Sequence, residues 1–270
     1  MNLNTITEVK RPKSFEEIEW RDGHAWLGGG TWLFSEPQVA TDTLVDLERL
    51  GWPALTVTPE GLEIAATCKI VELHDFKAPA DWKAAPLFDK CIDAFLMSFK
   101  IWNAATVGGN VVMSLPAGAM VSLTAALEGV CTLWPQGGKP RQVPVVDFVT
   151  GMHTNVLQKG ELLRSIFLPA SALTKRAAMR QVSLTRYGRS AALIVATVKD
   201  DGSDFLLTVS ASTPRPVHIR FKKTPSATEL RQAIDERLPP DAWFADVHGS
   251  APYKRHVTHY LAEQIRAELS

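Results

Sequence analysis

Two glycine-rich runs hold the residues whose types and spacing point to chemistry. Residues 28–33 read GGGTWL and residues 106–110 read TVGGN. Glycines inside an otherwise packed stretch usually mark places where something approaches the backbone closely. Main-chain N–H groups with no Cβ beside them bind anionic oxygens, and each hydrogen bond to a charged group contributes roughly 1.5–3 kcal/mol. Two such runs predict one elongated ligand with an anionic centre, such as the pyrophosphate of a dinucleotide.

Polar side chains accompany these glycines. Thr31 and Thr106 add hydroxyl groups, and Asn110 adds an amide. The common nucleotide fingerprints are absent, because GGGTWL does not fit G-x-G-x-x-G and the chain has no G-x-x-x-x-G-K-[ST]. From the residues alone, a ligand site and a pair of structural turns therefore both remain open.

Composition and charge narrow the class of protein. Lys plus Arg equals Asp plus Glu at 29 each, which gives no electrostatic case for binding nucleic acid or an anionic membrane surface. The chain has 270 residues, enough for two domains, and no apolar run long enough to span a bilayer. Residues 1–13 are polar and lack the apolar segment of a signal peptide, so we expect a cytoplasmic protein.

The sequence predicts no metal centre in this chain. Cys68, Cys91 and Cys131 are widely separated and form no C-x-x-C, so neither an iron–sulfur cluster nor a zinc site is indicated. His256 and His259 lie three residues apart, and solvent-facing or core-edge histidines are the favoured interpretation over a metal site. Any metal centres in a redox function would then belong to another chain.

Hydrophobic periodicity predicts an α+β architecture in two parts. In the first part, strands are predicted near 25–27, 43–47, 52–57, 61–66, 130–134, 141–145 and 160–169, with helices over 14–20, 70–76, 86–99 and 117–127. Residues 171–175 are predicted to form the boundary between the two parts. Strands over 177–184, 191–198 and 205–211 and helices over 226–238 and 253–269 follow it. The second part is therefore predicted to be a small antiparallel sheet backed by two helices.

The two runs resemble motifs of a known family. The FAD-binding medium subunit of the molybdenum hydroxylases, which include xanthine dehydrogenase and carbon monoxide dehydrogenase, carries A-G-G-T-D-L and Q-I-R-N-x-A-T-I-G-G-N. Residues 28–33 resemble the first motif and residues 100–110 the second. Further resemblances follow in family order, to L-V-D-L at 44–47, L-x-I-G-A-x-T at 62–67, V-P-L-x-D-F at 143–148, G-E-L-L at 160–163 and S-A-x-Y-R-R at 250–255. They cover nearly the whole chain.

This resemblance implies a fold and a cofactor site. The fold would be an FAD-binding domain of the vanillyl-alcohol-oxidase (PCMH) type, with two α+β subdomains over residues 1–171, followed by an α+β C-terminal domain with a small antiparallel sheet over residues 172–270. FAD would lie between the subdomains. The residues implied to bind it are Gly28, Gly29, Gly30, Thr31, Trp32, Leu33, Leu96, Thr106, Val107, Gly108, Gly109, Asn110, Leu163 and Arg164. Leu163 and Arg164 would line the adenine side.

Four positions depart from the family pattern. Trp102 replaces the arginine of I-R-N, and Ala119 stands where many relatives have an aspartate that contacts the cofactor. Leu193 replaces another aspartate, and Ala196 falls where NAD-reducing relatives have a lysine near the flavin. These departures argue against NAD as the electron acceptor more than they argue against FAD binding.

The implied function is electron transfer within a multi-subunit enzyme. A molybdopterin-binding large subunit would oxidise the organic substrate, an iron–sulfur small subunit with 2Fe-2S clusters would relay electrons, and this chain would pass them from FAD to an external acceptor. The partners would form an assembly such as a dimer of heterotrimers, and this chain alone would lack hydroxylase activity. The alternatives are a stand-alone PCMH-type flavin reductase, such as the enolpyruvyl-UDP-sugar reductase of cell-wall synthesis, and a flavin-free scaffold subunit.

Overall fold

A computed structural model describes residues 3–95 and 97–270, and these fold into an α+β architecture. The strands, in chain order, are β1 Glu8–Lys10, β2 His24–Leu27, β3 Thr43–Asp46, β4 Leu55–Thr58, β5 Gly61–Ala65, β6 Val130–Trp134, β7 Arg141–Pro144, β8 Val149–Gly151, β9 Thr154–Asn155, β10 Leu162–Pro169, β11 Arg176–Val182, β12 Ala192–Val198, β13 Ser203–Ser210 and β14 Val217–Lys223. The helices are α1 Ile70–His74, α2 Pro86–Asp93, α3 Phe99–Trp102, α4 Val107–Met113, α5 Ala119–Ala126, α6 Val145–Phe148, α7 Ala170–Leu173, α8 Ala227–Arg237 and α9 Ala251–Leu269. The predicted α+β class is confirmed.

The N-terminal part consists of a small parallel sheet and a larger antiparallel one. The parallel sheet has the order β1-β3-β2, and its strand β2 runs directly into the first glycine run. The antiparallel sheet has the order β4-β5-β10-β6-β7. Most residues of β5 and β10 are buried, so this sheet forms one wall of the main core.

Helix α5 lies at the centre of the molecule. All eight of its residues are buried, and it contacts helices α2 and α4 as well as strands β12 and β13. A helix that is apolar on every side must be covered on every side. Since the second glycine run leads into α4, α5 fixes that run against the interior of the protein.

The C-terminal part is an antiparallel sheet in the order β11-β12-β13-β14, backed by α8 and α9. The apolar residues of β12 alternate between two cores: Leu193 and Val195 belong to the main core, whereas Ile194 and Ala196 pack in the core with α8 and α9. The predicted sheet with two helices is therefore present, with β14 as an additional strand that the sequence analysis did not identify.

A buried ion network joins the two parts. The side chain of Lys175 is 2% exposed, and its Nζ lies 2.7 Å from Glu128 Oε1 and 2.7 Å from Asp204 Oδ2. Arg220 pairs with the same two carboxylates. Glu128 follows α5 whereas the other three residues belong to the C-terminal part, so the network fixes the end of α5 to the C-terminal sheet.

Some predicted elements differ in length. The helix expected over 14–20 is a 3-10 turn at Phe15–Glu17, because the Ser14 side chain makes no capping hydrogen bond. The helix expected over 86–99 ends at Asp93, and α3 forms separately. Among the described residues, no helix is long and apolar enough to cross a membrane, and no cluster of three or more His, Cys, Asp or Glu side chains is placed to hold a metal ion.

Candidate cofactor site

A cavity of about 810 Å³ opens between the N-terminal sheets, the start of α4 and the C-terminal part. Most of the residues predicted to bind the cofactor line it. These are Gly28, Gly29, Gly30, Thr31, Trp32, Leu33, Thr106, Gly108, Gly109, Asn110 and Leu163. Val107 and Arg164 lie outside the lining. Leu96 falls outside the described residues.

The first glycine run presents a row of unpaired donors. Phe34 N donates to Gly30 O at 2.9 Å, which closes a helical turn just after the glycines. Within the described part of the chain, no main-chain N–H of residues 28–33 donates a hydrogen bond to another protein group. Successive unpaired N–H groups in such a turn form a concave binding site for an anion.

The second run has a different role from the one expected. It is the first turn of α4, and its N–H groups already have partners: Val107 N donates to Cys68 O (2.8 Å), Gly108 N to Ala66 O (3.1 Å) and Gly109 N to Thr106 Oγ1 (3.0 Å). These bonds fix α4 to the turn after β5. The two runs are therefore not equivalent donors, since the first presents free N–H groups and the second forms a rigid wall.

The glycines are required by contacts within the chain as well as by the cavity. A Cβ on Gly29 would lie 1.8 Å from Ala104 O, and one on Gly108 would lie 2.5 Å from Ala66 Cα. Gly30 has a φ of +70°, a conformation that side chains disfavour. Gly29 thus lies closer to the segment just before the second run, and Gly108 closer to the residue after β5, than a residue with a Cβ allows.

Two polar side chains remain available to a ligand. Asn110 lines the cavity, and its Oδ1 accepts a hydrogen bond from Met120 N at 3.0 Å, which ties α4 to the start of α5. The amide Nδ2 has no partner among the described residues. The hydroxyl of Thr31 likewise has no partner within the described residues. Both groups are hydrogen-bond donors beside the first run.

One end of the cavity is apolar. It is lined by Trp26, Leu47, Leu157, Leu162 and Leu163. The indole Nε1 of Trp26 donates to Glu161 O at 3.1 Å, so the chain just before β10 orients this ring. Such a surface suits a flat aromatic base better than a phosphate.

Glu161, whose main-chain carbonyl accepts the bond from Trp26, is itself held by an ion pair. Its side chain is 1% exposed and receives two hydrogen bonds from Arg141, from Nε to Oε1 at 2.7 Å and from Nη2 to Oε2 at 2.6 Å. Burial by itself raises the pKa of Glu161, but the hydrogen bonds from Arg141 and Gln158 N and the positive charge of Arg141 outweigh burial, so the pKa lies below its usual value. The carboxylate is therefore charged in the folded protein.

We expect Glu161→Gln to lower the free energy of unfolding at pH 7 by about 2 kcal/mol, because one buried charge-assisted pair is lost while Arg141 remains partly hydrated. The lowered pKa of Glu161 stabilises the folded wild type above the unfolded-state pKa of roughly 4.3, and this stabilisation is lost as the pH falls through the folded-state value. Urea unfolding between pH 3 and pH 7 measures both effects. A gap between wild type and variant that stays constant over this range would contradict this account.

Two further segments line the cavity and were not identified from the sequence. The turn between β8 and β9 contributes His153, which has a φ of +55° and an imidazole centroid 5.7 Å from the Trp32 ring. The C-terminal part contributes Phe244, Asp246, Val247 and His248. No local pattern marks residues 244–248, and only their position just before the segment at 250–255 could have drawn attention to them.

Comparison with known proteins gives the family. Residues 8–171 match the family model described as the FAD-binding domain in molybdopterin dehydrogenase. The chain belongs to this family. A search of the curated proteins gave no match.

Several solved structures have the same fold as this chain over nearly its whole length. Carbon monoxide dehydrogenase from Hydrogenophaga pseudoflava has a TM-score of 0.80 at 18% identity, over 98% of this chain and 97% of that one. Quinoline 2-oxidoreductase from Pseudomonas putida 86 has a TM-score of 0.79 at 16% identity, over 97% of this chain and 96% of that one. Reconstituted carbon monoxide dehydrogenase from Oligotropha carboxidovorans has a TM-score of 0.76 at 19% identity, over 96% of this chain and 97% of that one.

The residues of the cavity fit FAD. The unpaired N–H groups of residues 28–33, which line the cavity, suit a pyrophosphate, and the apolar lining residues suit a base or ring. None of the four positions that depart from the family pattern, Trp102, Ala119, Leu193 and Ala196, is part of the lining. Their substitution therefore leaves the cavity walls of this FAD-binding domain intact.

Arg164 lies on the other face of β10. Its guanidinium carbon is 4.2 Å from the ring centroid of Trp52 and 5.5 Å from that of Trp134. The pairing of β10 with β6 is irregular between Leu163 and Ser165, and at this irregularity Leu163 lines the cavity while Arg164 packs against tryptophans.

Proposed function

We propose that this chain is the FAD-binding electron-transfer subunit of a multi-subunit molybdenum hydroxylase or dehydrogenase. The observation that supports the proposal most directly is that residues 28–33, whose N–H groups are unpaired, line a cavity of about 810 Å³ in a chain of this FAD-binding family. A cavity of this size lies within the usual range for cofactor sites. Bound FAD supplies one- and two-electron chemistry, and the protein holds and orients it.

In this proposal, the first run donates to the pyrophosphate, with Thr31 and Asn110 beside it. Trp26, Leu162 and Leu163 form the apolar surface for the adenine. The segments at 152–153 and 244–248 enclose the remainder of the cofactor and limit the access of water. The boundary between the FAD-binding domain, residues 1–171, and the C-terminal domain, residues 172–270, belongs to the same proposal.

The proposed partners are an iron–sulfur subunit and a molybdopterin-binding subunit. The carbon monoxide dehydrogenase from Hydrogenophaga pseudoflava is described as lacking the Mo-pyranopterin moiety of its molybdenum cofactor, and another related structure is a Cu,Mo-dependent carbon monoxide dehydrogenase. Since the described residues hold no cluster that binds a metal, such centres would lie on other chains. Electrons would then enter from the iron–sulfur subunit and leave to an external acceptor.

The visible spectrum of the purified chain tests FAD binding. We expect flavin absorption near one equivalent, either as purified or after incubation with FAD and gel filtration. A chain that takes up no flavin under either condition would refute the proposal and favour a flavin-free scaffold. Co-purification from the native host then separates a subunit from a stand-alone reductase, because a subunit carries molybdenum and iron in its complex and the chain alone does not oxidise the organic substrate.

Substitution of Gly109 tests the position of the phosphate. A Cβ here would lie 2.8 Å from Thr106 Oγ1, and a branched side chain would extend into the cavity. We expect Gly109→Ala to weaken FAD binding roughly tenfold and Gly109→Val to abolish it, because the larger group excludes the ligand and also disturbs a capping hydrogen bond worth about 1 kcal/mol. Titration with FAD, followed by flavin fluorescence, measures the series.

The alanine variant serves as the control for the valine variant. Circular dichroism should show the same secondary structure in both. If Gly109→Val retained FAD with wild-type affinity, the pyrophosphate would lie elsewhere in the cavity.

A further inference from the structure

One wall of the cavity is a tight turn in the C-terminal part. Phe244, Asp246, Val247 and His248 line the cavity from this turn. Asp246 and Gly249 exchange main-chain hydrogen bonds of 3.2 Å in both directions, and His248 N donates to Asp246 Oδ1 at 2.8 Å. These bonds give the turn a defined shape, and Phe244 N, which donates to Ser212 O at 2.9 Å, ties the first residue of the turn to the segment after β13. Residues 246–248 make no main-chain hydrogen bond outside the turn among the described residues, so their position depends on side-chain contacts.

Lys254, in the first turns of α9, fixes that position. It is 0% exposed, and its Nζ lies 2.9 Å from Asp246 Oδ1 and 3.1 Å from Ala211 O. The ammonium also lies 5.2 Å from the centroid of the Phe244 ring. A fully buried charge is costly unless it is paired and hydrogen-bonded, so its location is constrained by these partners.

The same lysine connects to the opposite wall. Ala211, whose carbonyl accepts the bond from Lys254, has a φ of +65° and donates its own N–H to Pro116 O at 2.8 Å. Pro116 lines the cavity between α4 and α5. A continuous chain of hydrogen bonds therefore runs from the Pro116 segment through Ala211 and Lys254 to the Asp246 turn.

We propose that Lys254 is a positioning residue for FAD. It does not line the cavity, but it holds the Asp246 turn at a fixed distance from the Pro116 segment and so sets the width of the cavity between the two domains. This inference rests on the proposed function, because it assigns Lys254 a role toward the cofactor of that same cavity. Without the ammonium, the Asp246 carboxylate, which is 22% exposed, would turn toward water and release the turn.

The test compares two buried lysines in the full-length chain. Lys254→Met removes the link to the turn, while Lys175→Met removes a lysine of similar burial whose partners, Glu128 and Asp204, lie outside the cavity lining. Both variants should be less stable than wild type. We expect Lys254→Met to weaken FAD binding by roughly tenfold or more, since it moves a cavity wall, and Lys175→Met to bind FAD as wild type does. FAD titration, the flavin reduction potential and thermal unfolding are measured for each.

A double-mutant cycle with Asp246→Asn identifies the route of the effect. If Lys254 acts through Asp246, the asparagine change weakens FAD binding in the wild type but adds little in the Lys254→Met background. Additive effects would overturn the inference. Lys254→Gln, which keeps one donor on a shorter side chain, provides a milder variant if the methionine variant does not fold, and it should show an intermediate loss of FAD.

The outcomes also separate this inference from the proposed function. If wild type binds FAD and the Lys254 variants retain wild-type affinity and potential, or if Lys175→Met loses FAD equally, the positioning role is refuted while the proposed function stands. If wild type takes up no FAD, the proposed function fails and the inference fails with it.

Discussion

Gly29→Ala should lower the free energy of unfolding by about 3 kcal/mol or more, the upper part of the usual cost of overpacking. The added Cβ would lie 1.8 Å from Ala104 O and 2.6 Å from Ala104 C, so it meets backbone that is itself held by Ile101 and Ile70. The first run must then move away from the second, which opens the cavity. We expect a fall of roughly 6–12 °C in Tm together with the loss of FAD.

Gly28→Ala is the matched control for this change. Its Cβ would lie 3.1 Å from Thr106 Oγ1 and would meet no backbone atom within 4 Å, so we expect a smaller loss of about 1 kcal/mol. Thermal unfolding of the two neighbouring variants compares a backbone clash with a side-chain contact. Equal Tm values for the two would show that the runs do not pack as closely as described.

Lys175→Met should have the second-largest effect on stability, a loss of about 2–3 kcal/mol. Removal of one partner from a buried ion pair usually costs about 3–5 kcal/mol, and here Arg220 stays beside Glu128 and Asp204 and compensates part of that loss. The two carboxylates are 26% exposed, which adds hydration. Urea unfolding monitored by tryptophan fluorescence measures the difference.

An exposed ion pair supplies the comparison. Lys83 pairs with Asp200, but their side chains are 48% and 62% exposed, so Lys83→Met should change stability by less than about 0.5 kcal/mol. If Lys175→Met and Lys83→Met lowered the free energy of unfolding by the same amount, the network at the end of α5 would not join the two parts of the molecule.

Local sequence patterns predicted many of the elements correctly. The alternation in residues 61–66 corresponds to β5, and the β-prone run at 191–198 corresponds to β12, which is covered on both faces. The capping box of Ser226 and Glu229 opens α8 as expected. In each case the signal and the structure that it predicts lie within a few residues of each other.

The predictions failed where distant segments decide the outcome. Ser14 and Glu17 have the spacing of a capping box, but the chain forms only a 3-10 turn there, since the glutamate bonds to Lys13 N and Ser14 makes no cap. The second glycine run has the composition of a loop, but its contact with Ala66 fixes it as the first turn of a helix. The wall at residues 244–248 depends on a lysine and a carbonyl from other elements, which no local pattern reveals.

The free N–H groups of residues 28–33 also have a consequence for the maturation of the protein. Amides without a protein partner exchange their hydrogens with solvent unless a ligand covers them, so the cofactor-free chain should show fast hydrogen exchange in this segment. The amides of residues 107–110 are already bonded and should be protected with or without FAD. Cofactor loading would stabilise the folded state by mass action, and of the two glycine runs only the first would gain hydrogen bonds, because the second is already bonded. We therefore expect hydrogen exchange at residues 28–33 to slow when FAD is added, with little change at residues 107–110.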